Sequence, residues 1–396
     1  MKLLYLVHRM PYPPNKGDKV PSYHLLRHLA ARHEVFLGTF IDDPDDERHV
    51  DTVRGWCADA HFARLSPRWA RIKSLRGLGR GQPLGLPYYQ DPGLRAWVND
   101  SVKRHGIEGV VVFSSTMAPY AETLGLPTWV DFVDLDSAKW TAYGQQHRWP
   151  LSWIYAREGR TLLAYEREVA RWARRSFFVT EAECDMFRRL APESAAKVEA
   201  LCNGVDADFF APAADRSSPF EPGTVPVVFT GAMDYWPNVD AVAWFVHDML
   251  PRLRTLHPNV HFSIVGRSPT AAVRALAGPN VTVTGTVDDV RPYLQHAAAV
   301  VAPLRLARGI QNKVLEAMAM GRPVVAASHC VAAIDGSRPD ELCAADAADD
   351  YVRILDAWLR EPAAADAVGR AARERVLAGF AWPARLAPID EALAQP

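Results

Sequence analysis

The sequence has few cysteines and no excess of charge, and each absence excludes a class of protein. Its 396 residues include five cysteines, which lie far apart and form no Cys-x-x-Cys pair. This usage argues against a disulfide framework or a zinc site and fits scattered thiols in a reducing compartment. Lysine and arginine total 45 against 46 for aspartate and glutamate, a formal net charge of −1. No global charge therefore indicates a nucleic acid as the ligand.

Long apolar runs and a dinucleotide fingerprint are missing too. The first apolar run, residues 2–7, is too short for the core of a signal peptide, and no window reaches the ~18 apolar residues of a transmembrane helix. We therefore expect a cytoplasmic protein, at most attached to the inner face of the cytoplasmic membrane. No Gly-x-Gly-x-x-Gly follows the first run, which argues against a dinucleotide-dependent oxidoreductase.

Short apolar runs alternate with helix-like stretches in both halves of the chain. Such runs predict parallel strands, because a strand covered on both faces is apolar throughout. They cover residues 2–7, 35–40, 109–113, 128–133 and 177–180, and then 227–231, 261–266, 281–285, 298–302 and 323–326. The rhythm predicts an α/β protein with two Rossmann-like domains facing each other across a cleft.

The length agrees with two folding units, since one ordinary domain has ~100 to 200 residues. We place an N-terminal domain at residues 1–205 and a C-terminal domain at residues 206–378. Residues 379–396 are expected to form a terminal helix that packs back on the N-terminal domain. In folds of this kind ligands bind beyond the carboxyl ends of the strands, so we expect the chemistry in the cleft between the domains.

One short helix carries a lysine and a glutamate on nearly the same face. Asn312 is a suitable N-cap for it, and Gly321 is a suitable residue just past its end. Lys313 then lies in the first turn, where free N–H groups and the helix dipole favour an anion, and Glu316 follows three residues later. A diphosphate on Lys313 and ribose hydroxyls on Glu316 would use both side chains. Alternatively, Glu316 only stabilises the helix N-terminus and Lys313 is solvated.

This helix resembles the donor-site signature of glycosyltransferase family 4, which has the form K-[VI]-L-E-A-M-A-x-G-x-P-V-V. Residues 313–325 read KVLEAMAMGRPVV. The resemblance implies that Lys313 binds the diphosphate and Glu316 the ribose of a nucleotide sugar, with Val314 as a further donor contact. The family often has a second glutamate eight positions earlier, where this chain has Arg308. Contacts from there would fall to the backbone N–H groups of Gly309 and Ile310.

A second departure concerns positive charge near the diphosphate. Many members of the family carry an Arg and a Lys after the strand at residues 227–231, and this chain has neither. Gly231 still lets the backbone approach the donor, and Arg267 or Arg305 is a candidate replacement for the missing charge. Gly17, after the first strand, is expected to bring further backbone N–H groups to the donor phosphates.

The resemblance extends over most of the chain. Residues 202–206 read Cys-Asn-Gly-Val-Asp where the family usually has Pro-Asn-Gly-Val-Asp. With Gly17 and the aromatic tail at residues 380–382, the arrangement most closely resembles a subgroup of sugar transferases linked to exopolysaccharide and exosortase loci. It implies a GT-B fold, with the acceptor side in residues 1–205 and the nucleotide sugar on residues 206–378. It also implies transfer with retention of configuration to a glycan or lipid-linked acceptor.

Aspartates follow the strand at residues 128–133 and are candidates for the sugar end of the site. Family members usually have a histidine or aspartate near the sugar and the attacking hydroxyl, and here Asp134, or else Asp131, is available. A rival interpretation takes Asp134 and Asp136 as the D-x-D metal motif of the other major glycosyltransferase fold. That rival leaves the second α/β series and the Lys313 helix unexplained. A third possibility is that these aspartates only cap a helix.

Residues 64–80 form a basic segment with an amphipathic spacing. They contain six basic and no acidic residues, and Trp69, Ile72, Leu75 and Leu78 recur at helical intervals. Such a helix suits an anionic membrane surface, where a lipid-linked acceptor would be found. Alternatively, its apolar side packs in the core and its basic side is solvated.

The expected reaction needs no metal and no other cofactor. Lys313 and its helix N-terminus supply positive charge where negative charge develops on the leaving diphosphate. Two other functions fit the same residues: a nucleotide-sugar 2-epimerase, which works without an acceptor, and a non-catalytic subunit that binds nucleotide sugars.

Overall fold

The computed structural model describes residues 1–14, 17–306, 310–334 and 337–395. The chain divides into two compact units, one made of Met1–Cys202 with Leu386–Pro396 and the other of Asn203–Arg385. Each unit contains one parallel sheet with helices around it, which confirms the predicted α/β class with two Rossmann-like units. Among the described residues, no helix is both long and apolar enough to cross a membrane.

The described part of the first unit has a seven-stranded sheet in the order β3-β2-β1-β4-β5-β6-β7. The order reverses between β1 and β4, the switch point where doubly wound sheets bind ligands. The strands are β1 Lys2–Val7, β2 Glu34–Ile41, β3 Asp59–Arg64, β4 Gly109–Phe113, β5 Thr128–Val133, β6 Arg175–Phe178 and β7 Val198–Ala200.

Helices of the first unit cover the sheet, and the last of them comes from the chain's C-terminal end. They are α1 Lys19–Ala30, α2 Val50–Arg54, α3 Pro67–Ser74, α4 Arg76–Arg80, α5 Gly85–Tyr88, α6 Pro92–His105, α7 Asp136–Gln146, α8 Leu151–Trp172, α9 Glu181–Leu190 and α19 Ala387–Ala394, with 3₁₀ turns at Pro44–His49, Ser115–Tyr120 and Pro192–Lys197. In α19 the carbonyl of Ala392 accepts a hydrogen bond from the indole of Trp129 at 3.1 Å, and Asp390 lies 2.9 Å from His28. These contacts attach α19 to the first unit.

In the second unit the described strands form a six-stranded sheet in the order β10-β9-β8-β11-β12-β13. These strands are β8 Val225–Thr230, β9 Val260–Val265, β10 Val281–Gly285, β11 Ala299–Ala302, β12 Val324–Ala326 and β13 Cys343–Ala344. The helices are α10 Trp236–Trp244, α11 Leu250–Leu256, α12 Ala271–Arg274, α13 Arg291–Gln295, α14 Asn312–Ala319, α15 Ser328–Ala332, α16 Ala348–Arg360, α17 Pro362–Gly379 and α18 Trp382–Arg385, with a π turn at Phe245–Met249. The order again reverses, between β8 and β11.

A buried ion pair fixes the start of α1 in the first unit. Lys19 is fully buried, Asp46 is 3% exposed, and Nζ of the lysine lies 2.5 Å from Oδ2 of the aspartate. Removing one partner leaves the other charge buried alone, which costs about 3 to 5 kcal/mol. We therefore expect Lys19→Met to lower the melting temperature of this unit sharply, and Lys19→Met/Asp46→Leu to recover at least half of the loss. A single variant that melted like the wild type would contradict this role.

Candidate functional site

The candidate site of the second unit lies at the switch point of its sheet. β8 ends at Thr230 and β11 at Ala302, and these two neighbouring strands run in the same direction. Chain segments leave their carboxyl ends in opposite directions, so a crevice opens there. Helix α14, which carries Lys313 and Glu316, follows β11. The fold thus places the predicted donor helix where doubly wound sheets bind their ligands.

Two glycines at the ends of β8 and β9 bring backbone close to backbone beside this helix. Gly231 and Gly266 have φ values of 155° and 153°, and a Cβ atom on Gly266 would lie 1.7 Å from the carbonyl oxygen of Gly231. A side chain at residue 266 is therefore excluded without movement of the loop. A Cβ atom on Gly231 would lie 3.0 Å from Nζ of Lys313. The glycine keeps the space next to the lysine open.

Lys313 is held by two contacts from neighbouring elements. Its Nζ donates a hydrogen bond to Oδ1 of Asn238 at 2.5 Å and lies 4.2 Å from the centre of the Phe229 ring, a cation–π contact. Burial lowers the pKa of Lys313 to about 7, against an upward effect of the Glu316 carboxylate. The ammonium is therefore positioned but poorly solvated, the state in which an approaching anion is bound most strongly.

Glu316 is half-buried one turn further along α14. Its carboxylate makes no hydrogen bond and no ion pair with any described residue, and burial raises its pKa to about 7 while Lys313 opposes the shift. A buried carboxylate without hydrogen bonds is unfavourable. Glu316 therefore has its acceptor oxygens available for a ligand with hydroxyl groups.

The ends of α14 differ in part from the prediction. Gln311 takes the N-cap position without a side-chain cap to the helix, and Asn312 is the first helical residue. Oδ1 of Asn312 is buried and has no hydrogen-bond partner among the described residues. Gly321 follows the helix with a φ of 68°, as expected for a residue just past a helix end. The helix therefore starts without a cap in a site that has unused polar groups.

The other predicted donor contacts of this unit fall into three groups. The side chain of Arg267 is exposed and makes no hydrogen bond or ion pair with the described part of the chain, whereas Arg305 pairs with Asp240 at 2.5 Å. The charge of Arg305 is thus already neutralised by the carboxylate of Asp240. Val314 is buried in the core and Ile310 packs against that core. Arg308 and Gly309 lie outside the described residues.

In the first unit, charged groups surround the end of β1. Arg9 lies 2.7 Å from Asp18 and 2.9 Å from Asp42, and His8 lies 3.4 Å from Asp18. Burial alone would raise the pKa of Asp18, but the hydrogen bonds and charges of His8 and Arg9 outweigh it and hold that pKa well below its usual range. Gly17 immediately precedes this network, and a Cβ atom there would meet nothing within 4 Å.

The end of β5 carries the predicted aspartates in different environments. Asp131 is 6% exposed and its Oδ1 accepts a hydrogen bond from the backbone N–H of Val133, whose φ of 70° is unusual for a β-branched residue. Burial raises the pKa of Asp131 to about 7. Asp134 is exposed and its side chain makes no hydrogen bond with the described residues. Of the two, Asp134 is the carboxylate that a ligand can reach.

Sequence reasoning missed one residue beside this loop, Glu183. Its Oε1 accepts a hydrogen bond from the N–H of Leu135 at 3.1 Å, and burial raises its pKa to about 7, with smaller contributions from Asp134 and Asp136. The signal was present as Thr180-x-x-Glu183, the pattern of a helix capping box, and Thr180 does cap α9. Glu183 instead holds the loop that carries Asp134.

The rival interpretations of the Asp134 loop were a metal motif and helix caps. Asp136 is the first residue of α7 and lies 3.6 Å from Lys139, and α7 has no side-chain cap. Within the described ranges, no three His, Cys, Asp or Glu side chains are grouped so that they could hold a metal ion. Asp136 is therefore engaged with a cation from its own helix.

Asn238, a residue that the sequence did not single out, is expected to set the pKa of Lys313. Its oxygen stabilises the charged ammonium, so Asn238→Ala should lower that pKa below its value of about 7, and Asn238→Asp should raise it. Lys313 is the only lysine in residues 203–396. Reductive ¹³C-methylation and an NMR titration can therefore follow it, with Lys313→Arg to assign the signal. An unchanged pKa in both Asn238 variants would show that the contact is only structural.

A family model matches part of the second unit. Residues 225–361 match the model of a family described as glycosyl transferases group 1. A search of curated proteins found no match. The matched residues run from β8 to β13 and include α14.

Solved structures with the same fold cover almost the whole chain. Anabaena HepE in complex with UDP is 15% identical over 100% of both chains, with a TM-score of 0.69. A sucrose-phosphate synthase from Thermosynechococcus elongatus is 19% identical over 99% of this chain and 98% of its own, with a TM-score of 0.71. WaaG, a glycosyltransferase involved in lipopolysaccharide biosynthesis, is 17% identical over 99% of this chain and 100% of its own, with a TM-score of 0.64. At these identities the likeness concerns the fold.

Proposed function

We propose that the protein is a retaining glycosyltransferase that moves a sugar from a nucleoside diphosphate sugar to a hydroxyl of a glycan or lipid-linked acceptor. The observation that carries the proposal is the pair on α14, a positioned lysine and a half-buried glutamate that has no partner among the described residues. The group 1 domain at residues 225–361 and the structures of HepE with UDP and with UDP-glucose support it. We also propose that the protein is a member of glycosyltransferase family 4 and of its exopolysaccharide-linked subgroup.

Lys313 and the N-terminus of α14 are assigned to the leaving diphosphate. As the bond between the anomeric carbon and the phosphate oxygen breaks, its electrons move to the nucleoside diphosphate, and charge develops on the phosphate. A preorganised cation and free backbone N–H groups stabilise that charge, and this role requires no metal. Arg267, which is exposed and unpaired among the described residues, is the second cation that we assign to the diphosphate.

Glu316 is assigned to the ribose of the donor. Its two carboxylate oxygens can accept hydrogen bonds from the 2′- and 3′-hydroxyls, which would satisfy a group to which no described residue donates. Gly231 and the backbone at Gly309 and Ile310 are proposed to approach the phosphates and the transferred sugar.

Asp134 is assigned to the acceptor side. Its exposed carboxylate can orient the acceptor hydroxyl, whose oxygen bonds to the anomeric carbon while its proton passes to the oxygen of the departing diphosphate. Glu183 and Asp131 would act as positioning residues, because they bind the backbone N–H groups on either side of Asp134. Gly17 is proposed to assist the donor phosphates with its backbone.

The donor class can be tested without knowledge of the acceptor. Thermal shift over a panel of nucleoside diphosphates and nucleotide sugars should identify the base, since a ligand that binds only the folded protein raises the melting temperature. At a fixed ligand concentration, Lys313→Ala and Glu316→Ala should strongly reduce the shift, and Arg370→Ala, at an exposed residue on α17, should keep it. If no nucleotide shifted the melting temperature, the proposal would fail.

Turnover with and without an acceptor then separates the possible reactions. Product that forms only with an acceptor, and whose anomeric configuration by NMR equals that of the donor, supports retaining transfer. Donor conversion without an acceptor would indicate the 2-epimerase, and binding without turnover would indicate a non-catalytic subunit. We propose a cytoplasmic location, at the inner face of the membrane if the acceptor is lipid-linked.

A further inference from the structure

Two segments of the first unit combine exposed apolar side chains with the absence of acidic residues. Residues 64–90 contain six basic residues and no aspartate or glutamate, and residues 140–157 contain Arg148 and Arg157 and likewise no acid. The whole chain has nearly equal numbers of acidic and basic residues, 46 and 45. The two segments therefore differ in charge from the rest of the protein.

In the first segment, the apolar face of the helices points to solvent. Trp69 is 68% exposed, and Ile72, Leu75 and Leu78 are exposed too, whereas Ala70 is the residue of α3 that is buried. The alternative in which this apolar side packs in the core is therefore wrong. Large apolar side chains on the surface of a helix that also carries positive charge mark an interaction site.

In the second segment, exposed aromatic residues lie at the turn between α7 and α8. Trp149 is 81% exposed and Trp153 is 56% exposed, and Leu151 and Tyr143 are also on the surface. Arg148 is exposed between them. This turn thus repeats the composition of the first segment, with tryptophan and leucine beside a cation.

Hydrogen bonds from α8 join the two segments into one surface. Nη2 of Arg157 donates to the carbonyls of Gly77 and Gln82, at 2.8 and 3.1 Å, and Oε1 of Glu158 accepts from the N–H of Leu84 at 2.7 Å. Trp153 lies four residues before Arg157, one turn away on the same face of α8. The two segments are therefore neighbours in the first unit, and we call their exposed side chains the aromatic-basic face: Trp69, Ile72, Leu75, Leu78, Trp149, Leu151 and Trp153 with Arg68, Arg71, Lys73 and Arg148.

We propose that the aromatic-basic face docks the protein on an anionic lipid bilayer. Tryptophan and leucine enter the headgroup and acyl boundary, and arginine and lysine bind anionic headgroups, which is the composition of helices that lie in a membrane interface. An acid-free surface with positive charge on both segments complements the negative charge of such a bilayer. Docking extends the proposed function, since it would bring the enzyme to a lipid-linked acceptor, but it does not require nucleotide binding.

Vesicle flotation tests the docking. Wild-type protein is expected to float with phosphatidylcholine vesicles that contain phosphatidylglycerol, less at high salt, and not with phosphatidylcholine alone. Trp149→Ser/Trp153→Ser and Trp69→Ser/Ile72→Ser should each weaken binding at least about tenfold, because burial of one large apolar side chain contributes about that factor. Arg68→Glu/Arg71→Glu/Lys73→Glu should weaken it about 100-fold or more. The control Leu256→Ser/Leu377→Ser, which removes exposed leucines of the second unit, should bind like the wild type.

Three results would overturn the docking. The first is equal binding to vesicles with and without phosphatidylglycerol, and the second is vesicle binding that none of the face variants weakens. The third is a dimer in sedimentation equilibrium that the same variants dissociate, because the face would then be a protein–protein interface. Thermal shift with nucleoside diphosphates distinguishes a failure of the docking proposal from a failure of the proposed transferase function. If the wild type does not bind vesicles but nucleotides still raise its melting temperature, only the docking proposal fails. If it binds vesicles but no nucleotide raises its melting temperature, only the transferase proposal fails.

Discussion

Replacement of Lys313 by alanine is expected to reduce kcat/KM for sugar transfer about 10²- to 10³-fold, the loss that follows removal of one preorganised group that stabilises developing charge. The lysine is held by Asn238 and Phe229 next to Gly231, and burial keeps its pKa near 7. Binding of a diphosphate should raise that pKa, because an anion favours the charged ammonium. The NMR titration with and without nucleoside diphosphate measures this directly.

Lys313→Arg is the matched control, because it keeps the positive charge at residue 313 and changes the position of the charged group. It keeps a cation at residue 313 but cannot reproduce the short contact of Nζ with Asn238 in the same position. We expect it to retain more nucleotide affinity than Lys313→Ala while kcat remains depressed. Because the alanine variant removes a poorly solvated cation, its melting temperature should not fall. Full activity in the alanine variant would remove Lys313 from the reaction.

Glu316→Ala is expected to weaken binding of the nucleoside diphosphate about 100-fold. Two hydrogen bonds to a charged acceptor contribute about 1.5 to 3 kcal/mol each, and part of this is offset by the loss of an unfavourable buried carboxylate. Glu316→Gln keeps one acceptor of the same shape and should lie between the alanine variant and the wild type. Isothermal titration calorimetry measures the three affinities.

Deoxynucleotides show whether Glu316 binds the ribose. If it does, removal of the 2′- or 3′-hydroxyl from the nucleotide should cost affinity in the wild type and nothing further in Glu316→Ala, because both changes remove the same interaction. The pKa of Glu316 near 7 adds a pH dependence. Protonation of Lys313 favours the diphosphate in both proteins, so the ratio of the wild-type affinity to the Glu316→Gln affinity for the ribonucleotide should fall as pH falls through 7, because only the ionised Glu316 accepts both hydrogen bonds.

Most of the fold could be predicted because its strands are short apolar runs between helical stretches. β1, β4, β5 and β10 were predicted with their exact bounds. β3 was missed because its sequence, Asp-Ala-His-Phe-Ala-Arg, is polar at the edge of the sheet, and β7 and β13 have only three and two residues. The terminal helix expected at residues 379–396 is instead α18 and α19, and Pro388 lies in the first turn of the second.

The candidate site was predictable where its residues are close in sequence. Lys313, Glu316 and Gly321 follow from helix periodicity and capping. Asn238 and Asp240 could not be assigned as partners of Lys313 and Arg305, because those contacts join residues 75 and 65 positions apart. Exposure of the face at Trp69 was not predictable either, since an amphipathic spacing is the same for a core helix and for a helix at a membrane.

A crystal structure of the protein with its best-bound nucleoside diphosphate tests the donor site most directly. The account predicts a diphosphate oxygen within about 3 Å of Nζ of Lys313 and ribose hydroxyls within about 3 Å of the Glu316 carboxylate, the distances of charge-assisted hydrogen bonds. Density for the nucleotide at another place on the second unit, with Lys313 still bound to Asn238 and Glu316 still without a partner, would contradict it.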